Sequence, residues 1–323
     1  MMVKVPCNIC GCAESRLLFK AKDLNYRVSD EEYNVVKCSS CGLVYLNPRP
    51  RNPQQFYPSD YGPHQIAPPK GSFRDSTRRA LQLFYNYPAE LCPSSIGRLE
   101  RIVKQLELKV REKYFLLTVP YSPSKRILDL GCGNGKYLMS LQSLGWKADT
   151  QLYGLDYPNE SLRRLRESHG LNIMEGDFLS TDLPIDFFDV VTMKHVLEHF
   201  SDPYAVMVKV ASILKPGGTV LIEIPNFKSI EALFLLRDKW HHIDAPRHLY
   251  HFSPRTLRLL LNRAGFDVEM IRLKKSIRPF SASLAHFGYN VPRLIEKYLI
   301  CNMLELCRLF GFSGELQCKA TKR

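Results

Sequence analysis

The sequence predicts an α/β fold: an open, mainly parallel sheet, preceded by a small metal-stapled module. Three observations carry that prediction. The apolar run Ile127–Leu130 breaks into glycines at alternate positions, Gly131, Gly133 and Gly135, and then into helix-spaced Tyr137, Leu138, Leu141 and Leu144. Further on, short apolar runs alternate with helical spacing, the pattern of strands joined by right-handed crossovers. Near the start, Cys7-Asn8-Ile9-Cys10 and Cys38-Ser39-Ser40-Cys41 form two matched knuckles.

The first element reads strand, glycine turn, helix. Glycines let the backbone enter positive φ and let a ligand lie against it. The following helix offers unpaired N–H groups to an acidic ligand. A dinucleotide fingerprint would place its third glycine at position 136, where Lys136 stands, so a tight turn with no ligand is the competing reading. Leu152–Asp156 is the second strand and ends in an acid placed to accept both hydroxyls of a ribose. The third strand, Asn172–Phe178, carries Asp177; the fourth is Phe187–Met193. Lys215-Pro216-Gly217-Gly218 then turns into a fifth, Thr219–Ile224. Ligands on such sheets sit beyond the carboxyl ends of the strands, where Gly131, Asp156, Asp177 and His195 fall.

The ordered set Leu-Asp-Leu-Gly-Cys-Gly-Asn-Gly, Gly-Leu-Asp, Gly-Asp-Phe, Phe-Asp-Val-Val, Val-Leu-Glu-His and Leu-Lys-Pro-Gly-Gly resembles class I S-adenosylmethionine-dependent methyltransferases over residues 124 to 273. The resemblance implies a Rossmann-like, seven-stranded methyltransferase sheet with helices on both faces. It also implies S-adenosylmethionine as cofactor, with Gly131 and Gly133 approaching its methionine part and Asp129 holding its amino group. Asp156 would bind the ribose, and Asp177 and Phe178 the adenine. Backbone near Lys194 and His195 would line the sulfonium end.

Composition supports a globular chain of one large or two modest domains: 323 residues, 45% hydrophobic and 24% charged. The formal charge of +13 admits a nucleic-acid, acidic-membrane or phosphorylated partner as well as a plain basic surface. No apolar run suits a signal peptide or a membrane span, so a cytoplasmic location is expected. Ten cysteines there point to thiols and metal rather than disulfides.

Cys7, Cys10, Cys38 and Cys41 read as a closed, structural zinc site. Gly11 and Gly42 directly follow the knuckles and permit the tight turns. A paired redox function is the rival, but that chemistry expects one such motif. Cys12 is a spare thiol; Cys92, Cys132, Cys301, Cys307 and Cys318 read as packing or surface residues. Residues 5 to 62 resemble the zinc-binding module found ahead of bacterial methyltransferases, many of them similar to enzymes of sugars and surface polysaccharides. That likeness suggests a zinc-ribbon-like module over residues 1–62, from which Tyr57 or Tyr61 reaches substrate or packs on the catalytic domain. Residues 63–123 read as a Pro-rich linker and a basic helical hairpin between Ser76 and Lys113. Residues 124–323 form the methyltransferase domain.

Methyl transfer needs alignment, desolvation and, for some acceptors, a base. His195, His199 and His248 are the base candidates. On a helix, His195, Glu198 and His199 would share a face. That spacing also suits a divalent ion, as in methyltransferases similar to those of quinone biosynthesis, which carry a carboxylate where this chain has His195. Glu198-His199 as a purely structural element is the third reading. After strand five comes a histidine-rich loop from Trp240 to Pro254, in which Arg247 is expected to clamp a substrate phosphate or carboxylate. Ser253 reads as the N-cap of a helix ending at Gly265, followed by a strand Phe266–Leu273. Between that strand and a last one, Leu316–Ala320, residues 276–312 form a helical insertion with a broad apolar face. It reads as a substrate cap, a homodimer surface or a helix lying on a membrane.

The function expected is methyl transfer to a small, anionic acceptor such as a nucleotide-linked sugar or polysaccharide precursor. Nucleic-acid methylation is an alternative, against which stands the lack of a base-flipping motif or aromatic-laced basic cluster. A catalytically inactive S-adenosylmethionine-binding protein is another. Sugar C-methyltransferases with a similar zinc module carry a further C-terminal domain, which this sequence is expected to be too short to hold, and that departure weakens the reading of a carbon acceptor.

Overall fold

The computed structural model describes residues 1–59, 61–65, 81–82, 84–88 and 115–323. In chain order its strands are β1 (Met2–Val3), β2 (Ser15–Ala21), β3 (Tyr33–Cys38), β4 (Val44–Leu46), β5 (Arg49–Pro50), β6 (Ile127–Leu130), β7 (Leu152–Asp156), β8 (Asn172–Glu175), β9 (Phe188–Lys194), β10 (Leu214–Pro225), β11 (Tyr250–His251), β12 (Phe266–Lys274) and β13 (Glu315–Lys322). Seven of them form one mixed sheet in the order β12-β13-β10-β9-β6-β7-β8, the Rossmann-like arrangement expected. The pairs β6–β7, β6–β9 and β7–β8 run parallel, and β12–β13 antiparallel. All four residues of β6 are buried, Asp129 among them, as in a strand covered on both faces.

The contacts divide the chain into two compact units. One comprises Asp60–Met193 and Ser212–Leu221; the other Met1–Ser59, Lys194–Ala211 and Ile222–Arg323. In the former, β6 leads through the glycine turn into helix Lys136–Gln142, whose Leu138 and Leu141 are buried. Helix Glu160–His169 buries Leu162 and Leu165 and stops at Gly170, which takes φ +63°. The third strand is shorter than its apolar run. It ends at Glu175, and Asp177 instead caps the next turn by accepting the Leu179 and Ser180 N–H groups.

The other unit holds the cysteine module. Its sheet, in the order β11-β4-β3-β2, is completed from the far end of the sequence: β11 pairs with β4, Tyr250 opposite Tyr45 and His251 opposite Val44. Residues 1–59 fall in the same compact unit as Lys194–Ala211 and Ile222–Arg323. Helix Pro254–Arg263 starts at Ser253 with a capping box to Thr256, as its sequence signals. β10 is longer than expected and takes in Lys215–Gly218. The insertion 276–312 holds helices Ile277–Ala285 and Cys301–Leu309; Ile300 and Leu304 are buried, while Leu294, Leu299, Leu309 and Phe310 are exposed. The hairpin expected between Ser76 and Lys113, with Cys92, lies outside the described residues apart from a few positions, of which Leu81 and Tyr85 are buried.

Arg247 departs most from its expected role. It is 0% exposed. Its Nη2 lies 2.5 Å from Asp23 Oδ1 and 2.8 Å from Asp244 Oδ1, and its Nη1 donates to Asp23 Oδ2 at 3.0 Å and to the Phe56 carbonyl at 3.1 Å. The guanidinium is saturated by the protein, so it does not clamp a substrate anion. Removing one partner of a buried pair leaves the other charges uncompensated. Arg247→Met is therefore expected to lower stability by about 3–5 kcal/mol in urea unfolding. A loss below about 1 kcal/mol, the range of an exposed pair, would show that the carboxylates find other compensation.

Candidate functional site

Around the glycine turn the structure gathers carboxylates. Gly131, Gly133 and Gly135 take φ +72°, +52° and +69°, so the sequence places glycine where a side chain would be strained. Asp156, at the end of β7, is held by two backbone donors, Gly133 N at 2.6 Å and Tyr157 N at 2.7 Å. Asp129 is 4% exposed and accepts the Thr192 hydroxyl at 2.7 Å. Asp177 accepts the Tyr157 hydroxyl at 2.6 Å, and Phe178 is buried.

The N–H groups of the turn are not left open for an acidic ligand. Gly131 and Cys132 donate to the Leu155 carbonyl, Gly133 to Asp156, Asn134 to the Pro63 carbonyl and Gly135 to the Cys132 carbonyl. Segment 62–65 lies against the turn. A Cβ on Gly133 would come within 2.7 Å of the Pro63 carbonyl oxygen. His64 Nε2 stands 3.6 Å from Asp156 Oδ1, and its carbonyl accepts the Ser161 hydroxyl. Tyr61, expected to touch substrate, packs its ring edge-on to His64 with centroids 5.2 Å apart. The linker reading missed this segment because proximity to a distant glycine leaves no local pattern.

In the other unit, imidazoles surround a buried carboxylate. His195 follows β9 directly and takes φ +52°, a conformation rare for a residue with a side chain. Its N–H donates to the Glu223 carbonyl at 2.8 Å, and its Nδ1 lies 3.5 Å from Glu198 Oε1. The segment Leu197–His199 is a single 3-10 turn rather than the start of an α-helix. Glu198 is 1% exposed. Burial raises its carboxyl pKa, but His195 Nδ1 at 3.5 Å and the neighbouring imidazoles outweigh that and hold it at about 2. Burial lowers the pKa of His195, yet Glu198, Glu315 and Glu223 turn the net shift upward. Burial, reinforced by His248, pushes His199 down to about 4.

His199 Nδ1 lies 2.7 Å from the Tyr57 hydroxyl, and His248 Nδ1 donates to the His242 carbonyl at 2.8 Å. Behind His195, Glu223 is paired with Lys274 at 2.9 Å and Lys194 at 3.4 Å. The Lys194 side chain, at the position expected to line the cofactor, is thus engaged with Glu223. Glu223 and Lys274 join the cluster from far along the chain and left no local signal, whereas the His195–His199 spacing and the histidine-rich loop did.

The four module cysteines converge. Cys7 and Cys41 sulfurs are 3.4 Å apart, and those of Cys10 and Cys38 are 3.5 Å apart. That is far beyond a disulfide and near the spacing of about 3.8 Å that a tetrahedral Zn–S distance of about 2.3 Å implies. Gly11 and Gly42 take φ +74° and +81°, closing the turns after each knuckle. The donor set fits zinc. Cys12 Sγ instead faces the Glu14 carbonyl.

Comparison with known proteins places this geometry. Residues 100–271 match the family described as "Methyltransferase domain". The chain is 30% identical over 162 residues to a tRNA U34 carboxymethyltransferase of Desulfotalea psychrophila, covering 47% of this chain and 48% of that one. It is 33% identical over 112 residues to a ubiquinone biosynthesis O-methyltransferase of Xanthomonas campestris, covering 32% and 44%. It spans about half the length of the curated relatives it matches. A solved structure, the SAM-dependent methyltransferase from Archaeoglobus fulgidus, is 25% identical with a TM-score of 0.45, covering 67% of this chain and 93% of that one. No helix among the described residues is long and apolar enough to cross a membrane.

Metal held by four cysteines would add folding energy to the segment that carries them. Cys38→Ser, or stripping by a strong chelator, is expected to release zinc and lower the urea midpoint, while Cys12→Ser leaves zinc content unchanged. Equal zinc content in all three proteins would remove the cysteine cluster as the metal site.

Proposed function

Because the chain belongs to the methyltransferase-domain family, we propose that it transfers a methyl group from S-adenosylmethionine to a small anionic acceptor, of the class of a nucleotide-linked sugar or polysaccharide precursor. The observation that carries the cofactor reading is the pairing of carboxylates with a glycine turn whose own donors are spent. Asp129, Asp156 and Asp177 suit a ligand rich in hydrogen-bond donors: a ribose diol, an adenine amine and an ammonium group. A pyrophosphate would meet acids and a glycine turn whose N–H groups from 131 to 135 are already taken, unlike a dinucleotide turn. S-adenosylmethionine bound there would supply a methyl group already activated by its sulfonium.

The chain's part is to position the reactants, exclude water and take a proton. Of the three histidines, His195 is the base this reading assigns. Its backbone is pinned by Glu223, and the Glu198 carboxylate stabilises the imidazolium formed when it accepts a proton. His199 is bonded to Tyr57 and His248 to the His242 carbonyl. The anionic acceptor rests on the charge of +13 and the likeness of the cysteine module, not on Arg247. A nucleic-acid acceptor is the second reading, favoured by the 30% identity to the tRNA U34 carboxymethyltransferase. It requires RNA binding that weakens steeply with salt.

Calorimetric titration of the zinc-loaded protein with S-adenosylmethionine tests the cofactor. Micromolar affinity is expected, falling at least about tenfold in Asp156→Ala as hydrogen bonds to a charged group are lost. A folded protein with no binding would overturn the assignment. With an acceptor found by labelled-methyl transfer to nucleotide sugars, His195→Gln is expected to lower kcat by about 10²–10⁴-fold while cofactor affinity holds. An unchanged kcat would move the base elsewhere.

A further inference from the structure

We propose that the outer face of the helical run 293–309 is a homodimer interface, in which two copies of this chain pack these helices antiparallel across a twofold axis at Asn302. The run comprises Arg293–Ile295, the wider π-helical turn Glu296–Ile300 and Cys301–Leu309, which follow one another without a break. At about 1.5 Å per residue it is roughly 25 Å long.

Its inner side is settled. Ile300 and Leu304 are buried, and Glu305 ties the helix down by taking Lys275 at 2.9 Å and Arg308 Nε at 3.1 Å. Its outer side is apolar as well: Leu294, Tyr298, Leu306, Leu309 and Phe310 are each more than half exposed. A helix that is apolar on two sides belongs in an interior, so the outer side calls for a cover.

The pattern of that side makes the cover a second copy. Ile295, Tyr298, Asn302, Leu306 and Leu309 recur at intervals of three and four, the seam of paired helices. The seam is symmetric about its one polar member. Leu294 and Phe310 each stand eight residues from Asn302, Ile295 and Leu309 seven, Tyr298 and Leu306 four. Antiparallel pairing therefore sets apolar against apolar at each step and Asn302 against its own copy, as a twofold interface demands. An amide carries both donor and acceptor, so two asparagines on the axis bond each other, and a lone polar residue in such a seam fixes register. The same register brings Glu296 and Arg308, each six residues from the centre, together as opposite charges. At their exposures these side chains present on the order of 1,000 Å², against roughly 800 Å² per partner in a standard interface.

An acidic bilayer is the rival cover. The run carries Arg293, Lys297 and Arg308 against Glu296 and Glu305, a net charge of +1 that anchors weakly to acidic lipid. A bilayer also gives no reason for a symmetric seam with a polar residue at its centre. The inference goes beyond the proposed methyl transfer and does not depend on it.

Sedimentation velocity of the full-length, zinc-loaded protein without detergent is expected to show, at micromolar concentration, a species of twice the mass of one chain. Tyr298→Asp and Leu306→Lys should each raise the dissociation constant at least about tenfold, since a charge then faces an apolar side chain of the partner subunit. The double variant should dimerise again, because the new charges of opposite sign meet across the axis. Both positions face solvent, so zinc content and circular dichroism are expected to match the wild type. A monomeric wild type, dimers that survive both single substitutions, or a double variant that stays monomeric would each overturn the proposal. Flotation with vesicles of acidic phospholipid tests the rival: a monomer that floats assigns the face to a membrane instead.

Discussion

A single guanidinium holds much of one unit in register. Arg247 sits between Asp23, in the cysteine-bearing segment, and Asp244, in the histidine-rich loop, with no part of it exposed. Asp244 takes a left-handed φ of +35° and accepts the backbone N–H of both Arg247 and His248 through its carbonyl. Its carboxylate is tied down further by Asn25 at 2.6 Å. The loop is thereby fixed on both sides of Arg247, and His248, the next residue, inherits that placement. A buried ion pair is weak evidence for net stability, since apolar residues of similar volume often serve as well. What this one supplies is geometry. The planar fork accepts carboxylates only along defined directions, so it sets the angle at which the histidine loop meets the N-terminal segment.

The readable parts of the sequence were those whose chemistry is local. The apolar runs that became β6, β7 and β9, the alternate glycines, the capping box at Ser253 and the paired knuckles each place their signal within a few residues. What the sequence hid depends on partners far along the chain. Arg247 looked like an anion clamp because nothing near it announces Asp23. β11 is two residues long and has no periodicity to detect; it exists because β4 offers an edge. Lys215–Gly218 reads as a turn from composition, yet it lies within the extended β10. Asp177 was placed at a strand end, but its carboxylate closes the following turn, which stops the strand early.

The glycine turn shows how one motif serves opposite ligands. In a phosphate site the turn's amides point outward and the helix dipole draws an anion. Here the amides from 131 to 135 are consumed by Leu155, Asp156, Pro63 and Cys132, and what remains around them is carboxylate. The glycines keep their conformational role while the polarity of the site reverses. That reversal, rather than the glycine spacing, is the feature on which the proposed cofactor rests.

Strand β9 carries the consequences of both. Its Thr192 fixes the Asp129 carboxylate, and three residues later the chain turns through His195 at φ +52°. A histidine in that conformation is strained and persists only where its surroundings over-determine it. The surroundings are on hand: its N–H is taken by the Glu223 carbonyl, and the Glu223 side chain is anchored by Lys274 and by Gln317 at 2.9 Å. A glycine would meet the backbone demand at lower cost but would present no imidazole. Retaining a side chain at such a position argues that the ring, and its reach toward Glu198, is what the turn is built to display.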